Sequence, residues 1–127
     1  MIKEYIKSDI RDTHIKHIAH GVNCQNKMGS GVAKALFDKW PEVKQMYHYY
    51  FENVCVPYPE GNQPADLLGR VQHVQCGDKV ILNCFTQENY GYDGKLYMSY
   101  VAIHDCFRKL TKDGVKEIAI PKIASGS

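Results

Sequence analysis

The segment Lys79–Phe85, "KVILNCF", is apolar almost without a break. Successive side chains of a strand point to opposite faces, so a strand with one wet face alternates apolar and polar residues. A continuous apolar strand requires cover on both faces and belongs inside a sheet with a layer on each side. The 127 residues suit one domain, and 44% apolar residues give enough material for such a core.

The rest of the chain supplies the other layers. Met1–Ile6 and Lys16–Val22 read as short strands. Gly31–Lys39 reads as a helix, with Val32, Ala35, Leu36 and Trp40 on one face. Pro41 breaks it and fits the first turn of a second helix, where its missing N–H costs nothing. The apolar stripe there is Val43, Met46, Tyr47, Tyr50 and Phe51. Val56–Gly69 carries three of the five prolines and reads as a loop. Arg70–Gln75 is a strand that turns through "CGD" into the apolar one. Tyr97–Thr111 reads as a helix with Tyr100, Ile103, Phe107 and Leu110 inward, and "VKEIAIP" as a last strand. Strands alternating with helices predict an α/β fold, a three-layer α/β/α sandwich. The chain stops at "PKIASGS", just after a strand that would normally feed a helix. A single domain over 1–127, short of its last helix and strand, is therefore expected.

Several function classes are set aside. A net charge of +2 makes no case for a broad nucleic-acid surface and leaves an anionic small molecule open. The N-terminal "MIKEYIKSDI" has no long apolar run, so neither a signal peptide nor a membrane span is expected there. Five cysteines (Cys24, Cys55, Cys76, Cys84 and Cys106) are an odd number without CxxC spacing. They predict free thiols in a reducing, cytoplasmic compartment, with Cys76, Cys84 and Cys106 as buried packing residues. His14, His17 and His20 recur every three residues, which on a strand does not put them on one face. No metal site and no cofactor are expected.

The chemistry concentrates in "HGVNCQNKMGSGVAKALFDKWP", His20 to Pro41. A strand crosses a glycine-broken turn into a helix. Gly29 and Gly31 can take positive φ and carry no Cβ to block a ligand. The unpaired N–H groups at the helix start lie at the positive end of its dipole and suit phosphate oxygens. No GK[ST] follows and GxGxxG is absent, and a plain tight turn fits the same residues. "IASGS" is a second small-residue turn after a strand, and sheets of this kind bind ligands at the carboxyl ends of their strands. Two such turns can grip a diphosphate from both sides. Asp9 ends the first strand, where an acid can accept from an exocyclic amine or cap a turn. Tyr90 and Tyr92 flank Gly91 and suit stacking on a ribose or base, or a plain surface loop. On periodicity alone, His20 reads as a hydrogen-bonded sheet residue.

The pieces "SDI", "HGVNCQNKMGSGVAKAL", "NCFTQENYGYDG" and "IPKIASGS" run along nearly the whole chain. In that order they resemble a macro domain, the ADP-ribose-binding module, near the branch of ADP-ribose 1''-phosphate phosphatases and phage-type macro proteins. The resemblance implies a mixed, mostly parallel sheet between helices, with a cleft for ADP-ribose. It implies that Asp9 takes the adenine amine and Ile10 a backbone contact. Asn23 would hold the distal ribose, and Gly29, Ser30, Gly31 and Val32 would form the first phosphate loop. Ser125, Gly126 and Ser127 would begin the second, Tyr90 would line the distal side, and His20 would match a catalytic histidine. "SDI" replaces the family's commoner "GDI", and the chain ends inside the second loop.

Three functions follow from that resemblance. One is hydrolysis of ADP-ribose 1''-phosphate, with Asn23 orienting the ribose and His20 moving the proton without a metal. A second is hydrolysis of ADP-ribose from modified protein or nucleic acid, with Lys34 or Lys39 as the candidate lysine. The third is a reader that binds ADP-ribose or ADP-ribosylated macromolecules without chemistry.

Overall fold

The computed structural model describes residues 2–6, 9–29, 31–54, 64–87 and 100–121. The chain runs through β1 (Ile2–Ile6), a 3-10 turn (Ile10–Asp12), β2 (His17–Asn23), α1 (Gly31–Lys39) and α2 (Glu42–Val54). A second 3-10 turn (Pro64–Leu67), β3 (Val71–Cys76), β4 (Lys79–Gln87), α3 (Tyr100–Lys112) and β5 (Ile118–Pro121) follow. The strands form one sheet in the order β1-β5-β2-β4-β3. Among the described strands only β3, against β4, is antiparallel, so the sheet is mixed and mostly parallel.

The continuous apolar strand is β4, where every residue from Val80 to Thr86 is buried. Its side chains alternate between two cores. Ile81 and Phe85 join Ile18 and Val22 under Leu36, Val43, Tyr47 and Phe51 of α1 and α2. Val80, Leu82 and Cys84 join Ala19 under Cys106 and Leu110 of α3. Helices therefore cover both faces, as "KVILNCF" demanded, and the fold is an α/β/α sandwich. Burying a large aliphatic or aromatic side chain of this kind contributes about 1.5–3 kcal/mol.

The local signals act where they stand. Gly77, at φ +63°, and Asp78 form the two-residue turn between β3 and β4, with Cys76 paired to Lys79. The Pro41 carbonyl accepts from the Gln45 N–H at 3.1 Å, so Pro41 opens α2. The Val56–Gly69 loop contains the Pro64–Leu67 turn; residues 55–63 lie outside the described ones. On α3 the inward stripe is corrected: Ala102, Cys106 and Leu110 are buried, Phe107 packs beside them, and Ile103 is half-buried. The i, i+4, i+8 row lets small residues sit close against β4. On α2, Met46 is exposed rather than inward. Cys24, Cys76, Cys84 and Cys106 are buried, and Cys55 lies outside the described residues. Among the described residues no helix is long and apolar enough to cross a membrane.

Candidate functional site

Because β1, β5, β2 and β4 are parallel, their carboxyl ends share one edge of the sheet. The chain leaving β2 enters α1 and α2 on one face, and the chain beyond β4 enters α3 on the other. Adjacent strands with connections to opposite faces leave a crevice beyond their ends. Asp9 and Ile10 follow β1 at this edge, and residues 24–31 follow β2. Ser30, Tyr90, Ser125, Gly126 and Ser127 lie outside the described residues, as does Tyr92.

Asp9 caps the first 3-10 turn, its Oδ1 accepting the Arg11 N–H at 3.0 Å. The Arg11 guanidinium closes on the same carboxylate, with Nε 2.8 Å from Oδ1 and 2.9 Å from Oδ2, and Nη2 also pairing with Oδ2. These charge-assisted bonds hold the Asp9 carboxyl down at about 2, so it is an anion throughout the physiological range. The carboxylate stays one-third exposed, at 34%. Ile10 is buried beside it and anchors the turn in the core.

The segment after β2 is organised by Asn23, which is buried. Asn23 Oδ1 accepts from the Gln25 N–H at 2.9 Å, the Lys27 N–H at 3.4 Å and the Tyr47 hydroxyl at 2.9 Å. Its Nδ2 donates to the Lys27 carbonyl at 2.6 Å. The side chain expected to hold a distal ribose folds its own loop into a turn, because its oxygen accepts from two loop amides, those of Gln25 and Lys27. Asn26 takes φ +59°, a left-handed conformation that Asn tolerates better than most residues. The Cys24 N–H donates to the Gln87 carbonyl at 2.9 Å and ties the loop to the end of β4. Gly31 takes φ +62°, which requires glycine at the opening of α1. Gly29 is not in a positive-φ conformation, and a Cβ built on it meets nothing within 4 Å, so open space adjoins the loop there. Val32 is half-buried against the core and fixes the first turn of α1, which carries no acidic side chain.

His20 departs from the catalytic expectation. It stands mid-strand opposite Asn83, 5% exposed, on the α1/α2 face between Ile18 and Val22. Its Nε2–H donates to Asn83 Oδ1 at 2.5 Å. Asn83 Nδ2 donates to Gln72 Oε1 at 3.0 Å and to the Val43 carbonyl at 3.4 Å, and Gln72 Nε2 donates to the Met46 carbonyl at 2.7 Å. Burial pushes the imidazole down from 6.5 to about 4, so the ring is neutral. It is a structural donor inside the core. Asn83 was not singled out from the sequence, yet a polar residue inside "KVILNCF" already signalled a buried group in search of partners.

The lysine candidates lie on the surface of α1. Lys34 Nζ pairs with Asp38 Oδ2 at 2.7 Å in an exposed i,i+4 bridge. Lys39 Nζ lies 3.4 Å from the Arg11 carbonyl and stacks over Trp40. Among the described residues no group of three or more His, Cys, Asp or Glu is placed to hold a metal ion.

No family model matches the chain. A 17.5 kDa protein from the tk–vs intergenic region of Enterobacteria phage T4, described as uncharacterized, is 30% identical over 125 residues, which are 97% of this chain and 75% of that protein. An uncharacterized protein from Sulfurisphaera tokodaii is 25% identical over 126 residues; these cover 99% of this chain and 65% of the relative. Among solved structures, one from Bacteroides thetaiotaomicron superposes with TM-score 0.73 at 25% identity, covering 96% of this chain and 80% of that one. A macrodomain protein from Streptomyces coelicolor gives 0.75 at 21% identity over 98% and 80%. The macrodomain of Mycobacterium tuberculosis DarG gives 0.70 at 21% over 99% and 78%. The chain thus has the macrodomain fold, and it belongs to the family of the phage T4 17.5 kDa protein.

Proposed function

We propose that this chain binds ADP-ribose along the carboxyl edge of its parallel strands. The observation that carries the reading is the joint placement, on one edge of a macrodomain sheet, of an anionic acceptor after β1 and a glycine-opened helix start after β2. In this reading Asp9 accepts the adenine amine through its exposed oxygen surface, with Ile10 adding a backbone contact. Gly29, Ser30, Gly31 and Val32 take one side of the diphosphate, and Ser125, Gly126 and Ser127 the other. Tyr90 lines the distal ribose. Titration calorimetry tests this. ADP-ribose should bind at least about tenfold more tightly than AMP, which cannot bridge both loops, since each charge-assisted bond lost costs roughly 1.5–3 kcal/mol. Equal affinities would remove the diphosphate clamp.

The finer proposal is hydrolysis of ADP-ribose 1''-phosphate to ADP-ribose and phosphate. The order of "HGVNC" and "MGSGVA" along the chain supports it. The buried imidazole of His20 gives it no base, so turnover would rest on groups at the crevice itself. The reader function gains support from the same observation, because His20 and Asn23 are both engaged in internal hydrogen bonds. Phosphate release from ADP-ribose 1''-phosphate, measured beside ADP-ribose release from modified protein, separates the three functions. A reader gives neither product.

A further inference from the structure

We propose that Tyr47 and His48 of α2 form a strut that sets the shape of the loop after β2, and that they are positioning residues for the ligand held by that loop. The proposal rests on the ADP-ribose reading for its ligand, and on the hydrogen bonds from α2 to the loop for the strut itself.

Two adjacent side chains of one helix reach the same loop at different points. The Tyr47 hydroxyl is shared between the Asn23 carbonyl, at 2.8 Å, and Asn23 Oδ1, at 2.9 Å. His48 Nδ1–H donates to Asn26 Oδ1 at 2.6 Å. Asn23 Oδ1 in turn receives the Gln25 and Lys27 amides, so the phenol acts through Asn23 on the backbone that leads to Gly29. The Asn26 contact holds the one non-glycine residue described with positive φ, a conformation that L side chains rarely adopt.

The strut is anchored in the core. Tyr47 is fully buried, its ring stacked on Phe85 at 5.9 Å with 22° between planes. Phe51 packs on it at 6.3 Å and His48 meets it edge-on at 5.2 Å. A ring wedged between β4 and its own helix has little freedom to swing, so its hydroxyl marks a fixed point in space. A loop pinned to that point pays less ordering cost when an anion arrives. Core packing would also be met by Phe at this position, so the hydroxyl is a feature the packing does not ask for.

The test uses Tyr47→Phe, which keeps the ring, together with His48→Ala and His48→Gln. The first readout is amide hydrogen exchange in the free protein. Tyr47→Phe should speed exchange at Gln25 and Lys27 about tenfold, the loss of roughly one hydrogen bond, with β2 and β4 unchanged. The second is calorimetry. ADP-ribose affinity should fall about tenfold and AMP affinity less than twofold, because AMP depends on the Asp9 end. His48→Gln should retain more ADP-ribose affinity than His48→Ala. Unchanged loop exchange in Tyr47→Phe would overturn the strut. So would an equal rise of exchange across β2, β4 and the loop, which would make Tyr47 a core residue alone. If wild type binds no ADP-ribose, the proposed function fails, and the exchange data still decide the strut. If ADP-ribose binds and no variant weakens it, the positioning role fails while the binding site stands.

Discussion

On the α3 face of the sheet, Ala19, Val80, Leu82 and Cys84 meet Cys106 and Leu110 in a layer of hydrocarbon and thiol. On the α1/α2 face, Ile18, Val22, Ile81 and Phe85 share their layer with His20 and Asn83, and Tyr47 carries a hydroxyl to Asn23. Both faces are buried, but they are specified differently. Hydrocarbon packing tolerates exchange of one apolar shape for another. A buried chain of donors does not, since each group that loses its partner pays its desolvation cost in full. The polar face is also the one that holds the loop after β2. The difference teaches that this loop is tied to the register of the sheet, through Asn83 opposite His20 and Phe85 beneath Tyr47.

The comparison breaks first where hydrocarbon alone is removed. Leu110→Ala, at a fully buried position on the α3 face, should cost about 3–4 kcal/mol through the cavity it leaves. The loss should be the same at pH 7 and pH 5 in denaturant titrations. A loss that changes with pH would mean that the α3 face is not purely apolar.

The polar face should answer to acid. His20 is held near 4 in the folded chain against its ordinary 6.5. Between those values the unfolded chain binds the extra proton, so stability is fully present above about pH 6.5 and falls as pH drops toward 4. The part due to His20 amounts to about 3 kcal/mol across that window. His20→Gln should lower stability at pH 7 and flatten this slope, and wild type and variant compared by urea titration from pH 7 to 4 check it. Parallel slopes would place His20 in contact with water. Activity loss in His20→Ala would accompany a lower Tm, not occur without it.

A smaller effect sharpens the α3 face near the site. A Cβ on Gly21 would stand 2.5 Å from Thr86 Oγ1, so Gly21→Ala forces Thr86 to turn. The expected cost is about 1–2 kcal/mol by thermal unfolding. No cost would mean that the threonine rotates freely. The smallest effect on stability is that of Asp9→Asn. The carboxylate is held below its ordinary 3.8 by Arg11, so its contribution is present above that value and fades only as pH falls toward 2. At pH 7 the variant should melt within a degree or two of wild type, as surface ion pairs contribute little.

Much of this was legible in the sequence, and the limits have physical causes. "KVILNCF" demanded two covering layers, and "CGD", Gly31 and Pro41 each mark an element boundary, because their constraints are local to the backbone. The partners of the polar residues were not legible. His20 and Asn83 are 63 residues apart, and Tyr47 and Asn23 are 24 apart. Neither periodicity nor motif spacing carries such pairings; strand order creates them. The same cause hid the internal partners of His20 and Asn23, which the fold ties to Asn83, to Tyr47 and to the loop backbone. Lys34, a candidate lysine by resemblance, forms with Asp38 a helix-surface pair of the i,i+4 kind.

The central claim is that the carboxyl edge of the parallel strands is an ADP-ribose site. Amide hydrogen exchange with and without saturating ADP-ribose tests it most directly. Protection should rise at Ile10 and Arg11 beyond β1 and at Gly31 to Ala33 in the first turn of α1, with β3 and the end of α3 unchanged. Protection spread evenly over the chain, or none at these five amides while ADP-ribose binds, would contradict the site.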